Sequence, residues 1–503
     1  MIRILDRFLD HITMYRLVLY YLMALLAAAL ALGFVHLVPH DPTALAFSAV
    51  LILAVCWATN RLFAWIFEVP ANVESVYITG LILVLILDPV TTSDPSGVGA
   101  LVFAAIWAMA SKFIFAIGGK HVFNPAALGV VPLAFLLDHP ATWWVGGNLP
   151  LLPLVLLGGV LIVRKLRRLD LVATFIAVEL VAVLATTAPG DYGAALQETL
   201  LSSPIFFFAF VMLTEPLTAP TARWARLAFA ALVGFLSAPN VHIASFYFSP
   251  EVALLVGNLF AFAIGPKHRL TLTLERIERA SADAYDFIFG TDRKVAFKAG
   301  QYAEWTLAVD HPDNRGNRRY FTFASSPGED TVRLGVKFYP SSSAFKRSLA
   351  QMAPGDTIYA SQVAGEFTLP ADPRVKIAFL AGGIGITPFR SMLQGLLERG
   401  EARPIVILYG NERQDDIAYA DLLDACKEQF GIATTCAVAR DAGPRHYPGY
   451  IDARLVKQAI PDYRERLFYI SGPQAMVSTM RTMLLGLGVR RSRIKVDFFP
   501  GLA

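Results

Sequence analysis

Long apolar runs separated by short loops fill the first half of this chain and stop near residue 266. Beyond that point charged residues become frequent and the apolar runs shrink to the length of a strand. Hydrophobic residues make up 55% of the 503 residues, an average too apolar for a soluble protein because it combines two unlike halves. The sequence therefore predicts a membrane domain followed by a soluble region.

Ten apolar segments are predicted as membrane helices. They lie near residues 17–38, 44–60, 76–88, 98–116, 122–138, 150–163, 171–188, 203–214, 225–238 and 251–265. Several are shorter than the roughly 20 residues that a spanning helix needs. Short segments interrupted by Gly or Pro are typical of helices that break around a binding site.

The distribution of basic residues predicts the orientation. With the N-terminus inside, the predicted inner loops and helix ends hold Arg61, Lys112, Lys120, Arg164, Lys165, Arg167, Arg168, Arg223, Arg226, Lys267 and Arg269. The predicted outer loops contain no Lys or Arg. This asymmetry follows the positive-inside rule and puts both termini and the soluble region in the cytoplasm. The first apolar run lacks a convincing cleavage site, so we expect it to stay as a helix of a multi-pass cytoplasmic-membrane protein.

Two stretches of the apolar half are alike. Residues 83–91 read LVLILDPVT and residues 210–218 read FVMLTEPLT, and each is followed by a Phe-x-Pro at the start of another apolar run. Five predicted helices separate the copies, so the second copy is expected to be inverted in the membrane, with a site near the interface of the repeats. The alternative is chance, because an acid followed by Pro is an ordinary helix stop.

The stretches ITGLILVLILDP, GGKHVFNPAALGVV and FVMLTEPLTAP resemble the family of membrane proteins shared by the sodium-translocating NADH:quinone reductase and the Rnf complex. The resemblance covers about residues 15–265 and implies a flavin-binding redox domain of ten helices in two inverted halves. Members of that family often carry FMN esterified to a threonine in an outer loop. Here the resemblance points to Thr142, which a flavin transferase would modify; a noncovalent flavin in the same region is the alternative.

Glu179 lies within the seventh apolar segment. An intramembrane carboxylate is costly and therefore suggests a function, such as handling a proton or contacting a quinone. The alternative is a neutral acid that is hydrogen-bonded inside the helix bundle.

The soluble half changes pattern at about residue 370. Short strands with turn signals fill residues 268–370 and predict a small antiparallel barrel, whereas strands and helices alternate over 373–500 and predict a doubly wound, mostly parallel sheet. A barrel followed by such a sheet resembles the ferredoxin–NADP reductase superfamily. We therefore expect three domains: 1–266 in the membrane, 267–371 binding FAD and 372–503 binding NAD(P).

The resemblance extends to an FAD motif. In Arg319-Tyr320-Phe321-Thr322 it implies that Arg319 pairs with the FAD pyrophosphate through its fork of donors, that Phe321 lies along the flavin ring, and that the Thr322 hydroxyl reaches flavin N5. Further expected FAD contacts follow at a predicted helix start and in the loop that closes the barrel domain. These are Ser342, Ser343, Lys346 and Gly365.

A glycine-rich turn directly follows an apolar strand at residues 380–388. Glycines let the backbone approach the phosphates of a dinucleotide, and the next helix points its N-terminus at them. The resemblance implies that NADH or NADPH binds this turn and a second one, with Ser471 where many relatives have Cys near the hydride path and Phe499 covering the flavin. The expected nucleotide-binding residues are Gly382, Gly383, Gly385, Thr387, Pro388, Gly472 and Pro473.

Together these features predict a membrane NAD(P)H-oxidising flavoprotein. FAD takes a hydride and sends electrons through a membrane flavin to a quinone or an extracytoplasmic acceptor. The three cysteines of the chain do not form a C-x-x-C motif, so no iron–sulfur cluster is expected. We also expect no metal site and no nucleic-acid partner. Two alternatives remain. The first is a haem-containing enzyme of the ferric-reductase or NADPH-oxidase type, although the membrane segments lack the stacked histidine pairs that haem would need. The second is a transporter regulated by a reductase domain.

Overall fold

The computed structural model describes residue 9 and residues 12–67, 73–117, 120–265, 270–291, 293–309, 317–340 and 342–497. The chain forms two compact units, Met1–His268 and Arg269–Ala503. We call them the membrane unit and the reductase unit. The proposed division of the second unit at residue 371 remains a prediction.

The membrane unit is helical. Its helices are α1 (Met14–Phe34), α2 (Pro42–Ile66), α3 (Val73–Ile86), α4 (Pro95–Ile114), α5 (Pro125–Leu136), α6 (Leu152–Leu166), α7 (Leu169–Thr186), α8 (Tyr192–Gln197), α9 (Ile205–Phe207), α10 (Arg223–Ser237) and α11 (Pro250–Ile264). Wider π-helical turns continue α8 at Glu198–Ser202 and α9 at Phe208–Met212. Two short hairpins complete the unit: β1 (Ala116–Ile117) with β2 (Lys120–His121), and β3 (His242–Ile243) with β4 (Phe246–Tyr247).

Each of the ten predicted segments overlaps a helix, but these helices differ greatly in length. Among the described residues, four helices (α1, α2, α4 and α7) are long and apolar enough to cross a membrane. A fifth span results if the two helices that meet at a 56° bend over 192–212 are counted together. The membrane setting is thus supported, while the number of ten spans remains a prediction.

Helix starts in this unit follow from an acid or amide before proline. The side chains of Asp41, Asp94 and Asn124 accept hydrogen bonds from backbone N–H groups of α2, α4 and α5, and each is followed by Pro. A short polar side chain satisfies an otherwise unpaired N–H, and the fixed φ of Pro suits the first helical position.

The same sequence of elements occurs twice. In the first half α2 packs on α4, and α4 packs on α5 after the β1–β2 hairpin; in the second half α7 packs on α10, and α10 packs on α11 after the β3–β4 hairpin. The two halves also meet through α5 and α11. Each hairpin immediately precedes one of the Phe-x-Pro sequences, so the order of elements agrees with the predicted repeat.

The reductase unit begins with a six-stranded antiparallel sheet of order β8-β7-β10-β5-β6-β9. Its strands are β5 (Leu270–Arg279), β6 (Ala284–Thr291), β7 (Tyr302–Thr306), β8 (Arg318–Thr322), β9 (Val332–Lys337) and β10 (Thr357–Ala364), with helix α12 (Ala344–Ala350). A backbone hydrogen bond from Ala324 N to Arg333 O (2.9 Å) joins the two ends of the sheet, but no strand ladder between β8 and β9 is present among the described residues. A closed barrel therefore remains a prediction; we call this part the barrel lobe.

The second lobe is a six-stranded parallel sheet of order β14-β13-β12-β11-β15-β16, as predicted for a doubly wound fold. Its elements are β11 (Ile377–Gly382), α13 (Thr387–Arg399), β12 (Ile405–Asn411), α14 (Ala420–Phe430), β13 (Ala433–Val438), β14 (Tyr447–Pro448), α15 (Ala453–Ala459), β15 (Leu467–Ser471), α16 (Gln474–Gly486) and β16 (Ile494–Asp497). Strand β11 is buried along its whole length because helices cover both faces of the sheet. We call this part the nucleotide lobe.

Candidate functional site

Two glycine turns meet at the carboxyl edge of the parallel sheet. Strands β11 and β15 are parallel neighbours, and each ends in one of the turns. A Cβ atom on Gly385 would lie 2.5 Å from Gly472 Cα and 2.6 Å from Ser471 O, whereas a Cβ on Gly382 would meet the flexible side chain of Met476. Only glycine fits at position 385, so the structure brings the predicted residues of both motifs into backbone contact.

Helix α13 starts at the first of these turns. Gly383 has a φ of +51°, and nothing lies within 4 Å of the place where its Cβ would be. The turn Gly383–Ile386 leads into α13, in which Thr387 donates to Ile384 O (3.1 Å) and Pro388 stands in the first turn. The open backbone and the helix N-terminus beside it favour an anionic ligand. In the second turn, Pro473 is the residue immediately before α16.

The predicted FAD motif lies on β8, at one end of the antiparallel sheet. The Arg319 guanidinium lies 5.4 Å from the centroid of the Phe345 ring, which also contacts the Phe321 ring at 5.9 Å. The Tyr320 hydroxyl donates to Glu304 (2.8 Å). Aromatic rings thus border the arginine that the sequence assigns to a pyrophosphate.

Thr322 provides a test of whether this strand suits a cofactor. The residue is 4% exposed, and its hydroxyl has no hydrogen-bond partner among the residues that the structure describes. An unmade hydrogen bond at a buried hydroxyl is costly, and native structures rarely leave one without a reason. A hydrogen-bonding ligand at this strand would satisfy it, so the residues present fit a flavin.

The serines after β9 are engaged locally. Ser343 is fully buried and caps α12 by accepting from Lys346 N (3.3 Å), while the Ser342 hydroxyl donates to Tyr339 O (2.6 Å). The Lys346 ammonium donates to Lys337 O (2.9 Å). The structure therefore brings these residues together at one turn, with their side chains already in hydrogen bonds.

Gly365 adopts a φ of +117°, and its carbonyl accepts a hydrogen bond from Gln301 Nε2 (3.2 Å). A glycine is required because few other residues adopt this conformation. The turn it makes leads to Phe367, whose ring packs edge-on against Tyr469 at 5.0 Å. The remaining predicted residue, Phe499, lies outside the described part of the chain.

Tyr409 supports the glycine turn from the neighbouring strand β12. Its hydroxyl donates to Gly383 O (3.1 Å) and accepts from Ala418 N (3.3 Å). Burial raises the pKa of Tyr409 above its usual value, so the hydroxyl remains a donor at any physiological pH. Two residues further on, Asn411 is 6% exposed, and its side chain lies within hydrogen-bonding reach of the Tyr409 hydroxyl.

In the membrane unit, Thr142 is exposed and its hydroxyl donates to Asp88 Oδ1 (3.0 Å). The next residue, Trp143, is buried, has a φ of +53° and donates from its indole nitrogen to Glu251 (3.1 Å). A bulky residue with positive φ is uncommon and often marks a functional site. The loop thus presents the threonine outward beside a carboxylate while the tryptophan anchors it.

Motifs from both halves of the membrane unit meet at a second place. Glu215 accepts from Asn124 Nδ2 (2.8 Å) and Thr218 Oγ1 (3.0 Å) and lies 3.3 Å from His121 Nε2, while Asn258 accepts from Asn124 N (2.8 Å). We call these five residues the Glu215 cluster. It joins the FNP sequence of the first half to the TEP sequence of the second.

Glu179 is 6% exposed on α7, and its Oε2 atom has no hydrogen-bond partner within the described residues. The carboxyl is therefore not held by a complete hydrogen-bond network. Across the described part of the chain, no group of three or more His, Cys, Asp or Glu side chains is arranged to hold a metal ion.

Residues 145–266 match the sequence profile of the NQR2, RnfD, RnfE family, and residues 379–482 match that of the oxidoreductase NAD-binding domain. The chain thus joins a stretch that matches this family of membrane proteins to one that matches an NAD-binding oxidoreductase domain. The resemblance stated from the sequence is thereby confirmed over these two stretches, and the match to an oxidoreductase domain agrees with the expected class of enzyme.

Curated relatives of this chain include a flavohemoprotein of Bacillus cereus. The two sequences are 26% identical over 216 residues, which cover 41% of this chain and 53% of the relative. The electron transfer component of a 2-halobenzoate 1,2-dioxygenase from Burkholderia cepacia is 30% identical over 227 residues, covering 43% and 64%. The chain thus spans about half the length of the flavohemoproteins it matches. A solved structure of the Amycolatopsis cytochrome P450 reductase GcoB is also similar, with a TM-score of 0.42 and 22% identity over 46% of this chain and 71% of that one.

The sequence analysis did not identify two groups of residues that the structure brings to these sites. Tyr409 and Asn411 lie on a strand outside the glycine motif, and only their alternation on one face of β12 hints at a shared role. The residues of the Glu215 cluster belong to the repeated motifs of the two halves. The spacing of those motifs did not indicate that they contact each other.

Proposed function

We propose that this protein is a membrane-bound oxidoreductase that oxidises NADH or NADPH on FAD and passes the electrons through a flavin in the membrane unit to a quinone or an extracytoplasmic acceptor. The observation that carries the proposal is the backbone contact between the turns at Gly385 and Gly472, which brings two glycine turns together at the carboxyl edge of a parallel sheet, where dinucleotides bind in such folds. The unpartnered Thr322 hydroxyl supports a flavin on the adjoining lobe.

In this proposal the barrel lobe holds FAD. Arg319 pairs with the pyrophosphate, Phe321 covers part of the flavin ring, and Thr322 donates its buried hydroxyl to N5. FAD supplies the ability to accept a hydride and release electrons singly. Neighbouring backbone and side chains of Tyr320, Ser342, Ser343, Lys346 and Gly365 complete the pocket.

The nucleotide lobe orients NAD(P)H. The N–H groups at the start of α13, with Gly382, Gly383 and Gly385, bind the phosphates, because a helix N-terminus attracts anions. Thr387 and Pro388 fix the start of that helix. Ser471, Gly472 and Pro473 border the nicotinamide. Phe499, outside the described residues, is the aromatic residue predicted to cover the flavin.

The membrane unit carries the second flavin. Thr142 is exposed, lies in a predicted outer loop free of Lys and Arg, and donates its hydroxyl to the carboxylate of Asp88. We propose FMN at this residue, attached by a flavin transferase or bound without a covalent bond. The basic inner loops support an orientation with both termini and the reductase unit in the cytoplasm.

The reductase half of the proposal is tested with the full chain in lipid nanodiscs. Bound flavin is quantified, and its absorbance is followed after anaerobic mixing with NADH or NADPH. We expect FAD to be bleached by one of them, and Arg319→Ala to lose FAD while Arg374→Ala, at a side chain 89% exposed, keeps it. Flavin-free protein that oxidises neither nucleotide would refute the proposal, and a Soret band would redirect it to haem.

The membrane half is tested by in-gel fluorescence of denatured protein, expressed with and without a flavin transferase. Fluorescence that survives denaturation and disappears in Thr142→Ala is the expected result. If the band persists in the variant, the flavin is attached elsewhere. If no sample fluoresces, flavin extraction from the native membrane unit decides between a noncovalent flavin and none.

A further inference from the structure

Tyr419 connects the two lobes of the reductase unit from a rare backbone conformation. It precedes α14 with φ +60° and ψ 35°, a region that bulky residues seldom adopt. From there its hydroxyl donates to Asp286 Oδ1 at 2.6 Å, although Asp286 lies on β6 of the barrel lobe, 133 residues earlier. Strain of this kind persists only where surrounding contacts impose it.

Asp286 is prepared for this contact. It is 1% exposed, and its other oxygen accepts from Arg333 Nη1 at 2.7 Å. The same guanidinium also binds Glu278 (2.8 Å), and its contact with Asp286 does not involve the tyrosine hydroxyl. Burial, and next the negative charge of Asp286, raise the pKa of Tyr419 well above its usual value, so the hydroxyl remains a donor.

Gly335 makes room for the contact on the adjacent strand. It pairs with Asp286 across β6 and β9, and a Cβ here would lie 2.7 Å from Thr387 Cγ2, 2.8 Å from Tyr419 Oη and 3.1 Å from Asp286 Oδ1. The start of α13 and the start of α14 therefore both rest on one glycine of the barrel lobe. Thr387 follows the glycine turn directly, so this contact sets where that turn lies relative to the barrel.

We propose that Tyr419, Asp286 and Gly335 form a positioning contact that sets the distance between the nucleotide-binding turn and the flavin-binding barrel. Tyr419 is then a positioning residue for hydride transfer, an inference that rests on the proposed function. Two ion pairs also tie the lobes, Arg390 to Glu329 (2.5 Å) and Lys337 to Asp416 (2.9 Å). The Arg390 guanidinium also lies over the Tyr419 ring at 5.9 Å. The Tyr419 contact adds to these pairs a packing point at Gly335, which approaches Thr387, the first residue of α13.

Hydride transfer depends steeply on the approach of the reacting atoms, so a small displacement of the turn slows it strongly. Replacing Tyr419 by Phe removes one hydroxyl and keeps the ring, and Asp286 keeps its arginine. Gly335→Ala pushes the same elements apart by steric contact. The matched control is Tyr450→Phe, which removes a hydroxyl from a side chain 72% exposed on the same lobe.

The experiment mixes full-length protein in nanodiscs anaerobically with NAD(P)H or its C4-deuterated form. For Tyr419→Phe we expect unchanged FAD content, flavin reduction slower by about tenfold, and a larger deuterium isotope effect. The long-wavelength absorbance of a stacked nicotinamide and flavin should weaken. Gly335→Ala should slow reduction by about a hundredfold, and Tyr450→Phe should match the wild type.

The inference would be overturned if Tyr419→Phe kept the wild-type rate, absorbance and isotope effect and showed at most a lower unfolding temperature. The contact would then be structural only. If Gly335→Ala fails to fold, Tyr419→Phe still decides. A wild-type protein whose flavin neither nucleotide reduces would instead refute the proposed function.

Discussion

The two units build their sites in different ways. In the reductase unit the nucleotide turn is a local device, because the residues of 382–388 are consecutive and parallel pairing brings the second turn beside them. In the membrane unit the polar contacts join distant positions: Thr142 reaches Asp88 across 54 residues, and Asn124 reaches Asn258 across 134. A short motif can therefore identify the first kind of site but not the second.

The units also differ in how they hold acids that are buried or half-buried. In the reductase unit Asp286, Glu329 and Asp416 are each paired with an Arg or Lys of the described chain. In the membrane unit, Glu215 is surrounded by an amide, a hydroxyl and a histidine, and one oxygen of Glu179 has no partner among the described residues. The reductase unit thus pairs these acids with cations, whereas the membrane unit surrounds Glu215 with polar side chains.

The largest effect should come from the local site. Gly385→Ala places a methyl group 2.5 Å from the backbone of Gly472, and we expect reduction of FAD by NAD(P)H to fall by about a thousandfold or more. FAD content should stay unchanged. Rapid mixing measures the rate, and Gly486→Ala, with nothing within 4 Å of its added methyl, is the control. Normal reduction by the Gly385 variant would show that the turn does not bind the nucleotide.

The next effect concerns the paired acids. Arg390→Ala leaves Glu329 without the guanidinium that contacts it at 2.5 and 3.0 Å, and we expect the free energy of unfolding to fall by about 3 kcal/mol. Arg440→Ala removes an ion pair whose arginine is 73% exposed, and the expected change is below about 1 kcal/mol. Thermal unfolding of both variants measures the difference. Equal losses would remove the distinction between buried and exposed pairs.

A membrane-unit variant sharpens the comparison between units. Asn124→Ala removes both the cap of α5 and the hydrogen bond to Glu215, so we expect a loss of about 2 kcal/mol in stability. Reduction of FAD by NAD(P)H should be unaffected, and the exposed Asn240→Ala should change neither. Slower FAD reduction in the Asn124 variant would mean that the two units do not work separately.

The smallest effect tests the unpartnered hydroxyl. Thr322→Val keeps the shape of the side chain and removes its oxygen, and we expect FAD to bind while its reduction slows by about tenfold. The reduction potential of the bound flavin should shift as well. An unchanged rate and potential would show that the Thr322 hydroxyl does not contact the flavin.

The glycine motif, the alternation of strands and helices in the nucleotide lobe and the membrane character of the first half could be predicted because each depends on neighbours in the chain. Glycines at 382, 383 and 385 directly after a buried strand leave few alternative folds. The starts of α2, α4 and α5 likewise coincide with Asp-Pro and Asn-Pro pairs, which are local signals for the start of a helix.

Only the tertiary structure decided which distant residues meet. Nothing local to Tyr419 indicates that its hydroxyl binds Asp286, nor does the sequence around Glu215 indicate that Asn124 donates to it. The local backbone conformation is determined by steric and hydrogen-bonding preferences of adjacent residues. Contacts between lobes or between repeats depend on how whole elements pack, so they follow from the fold rather than from any short stretch of sequence.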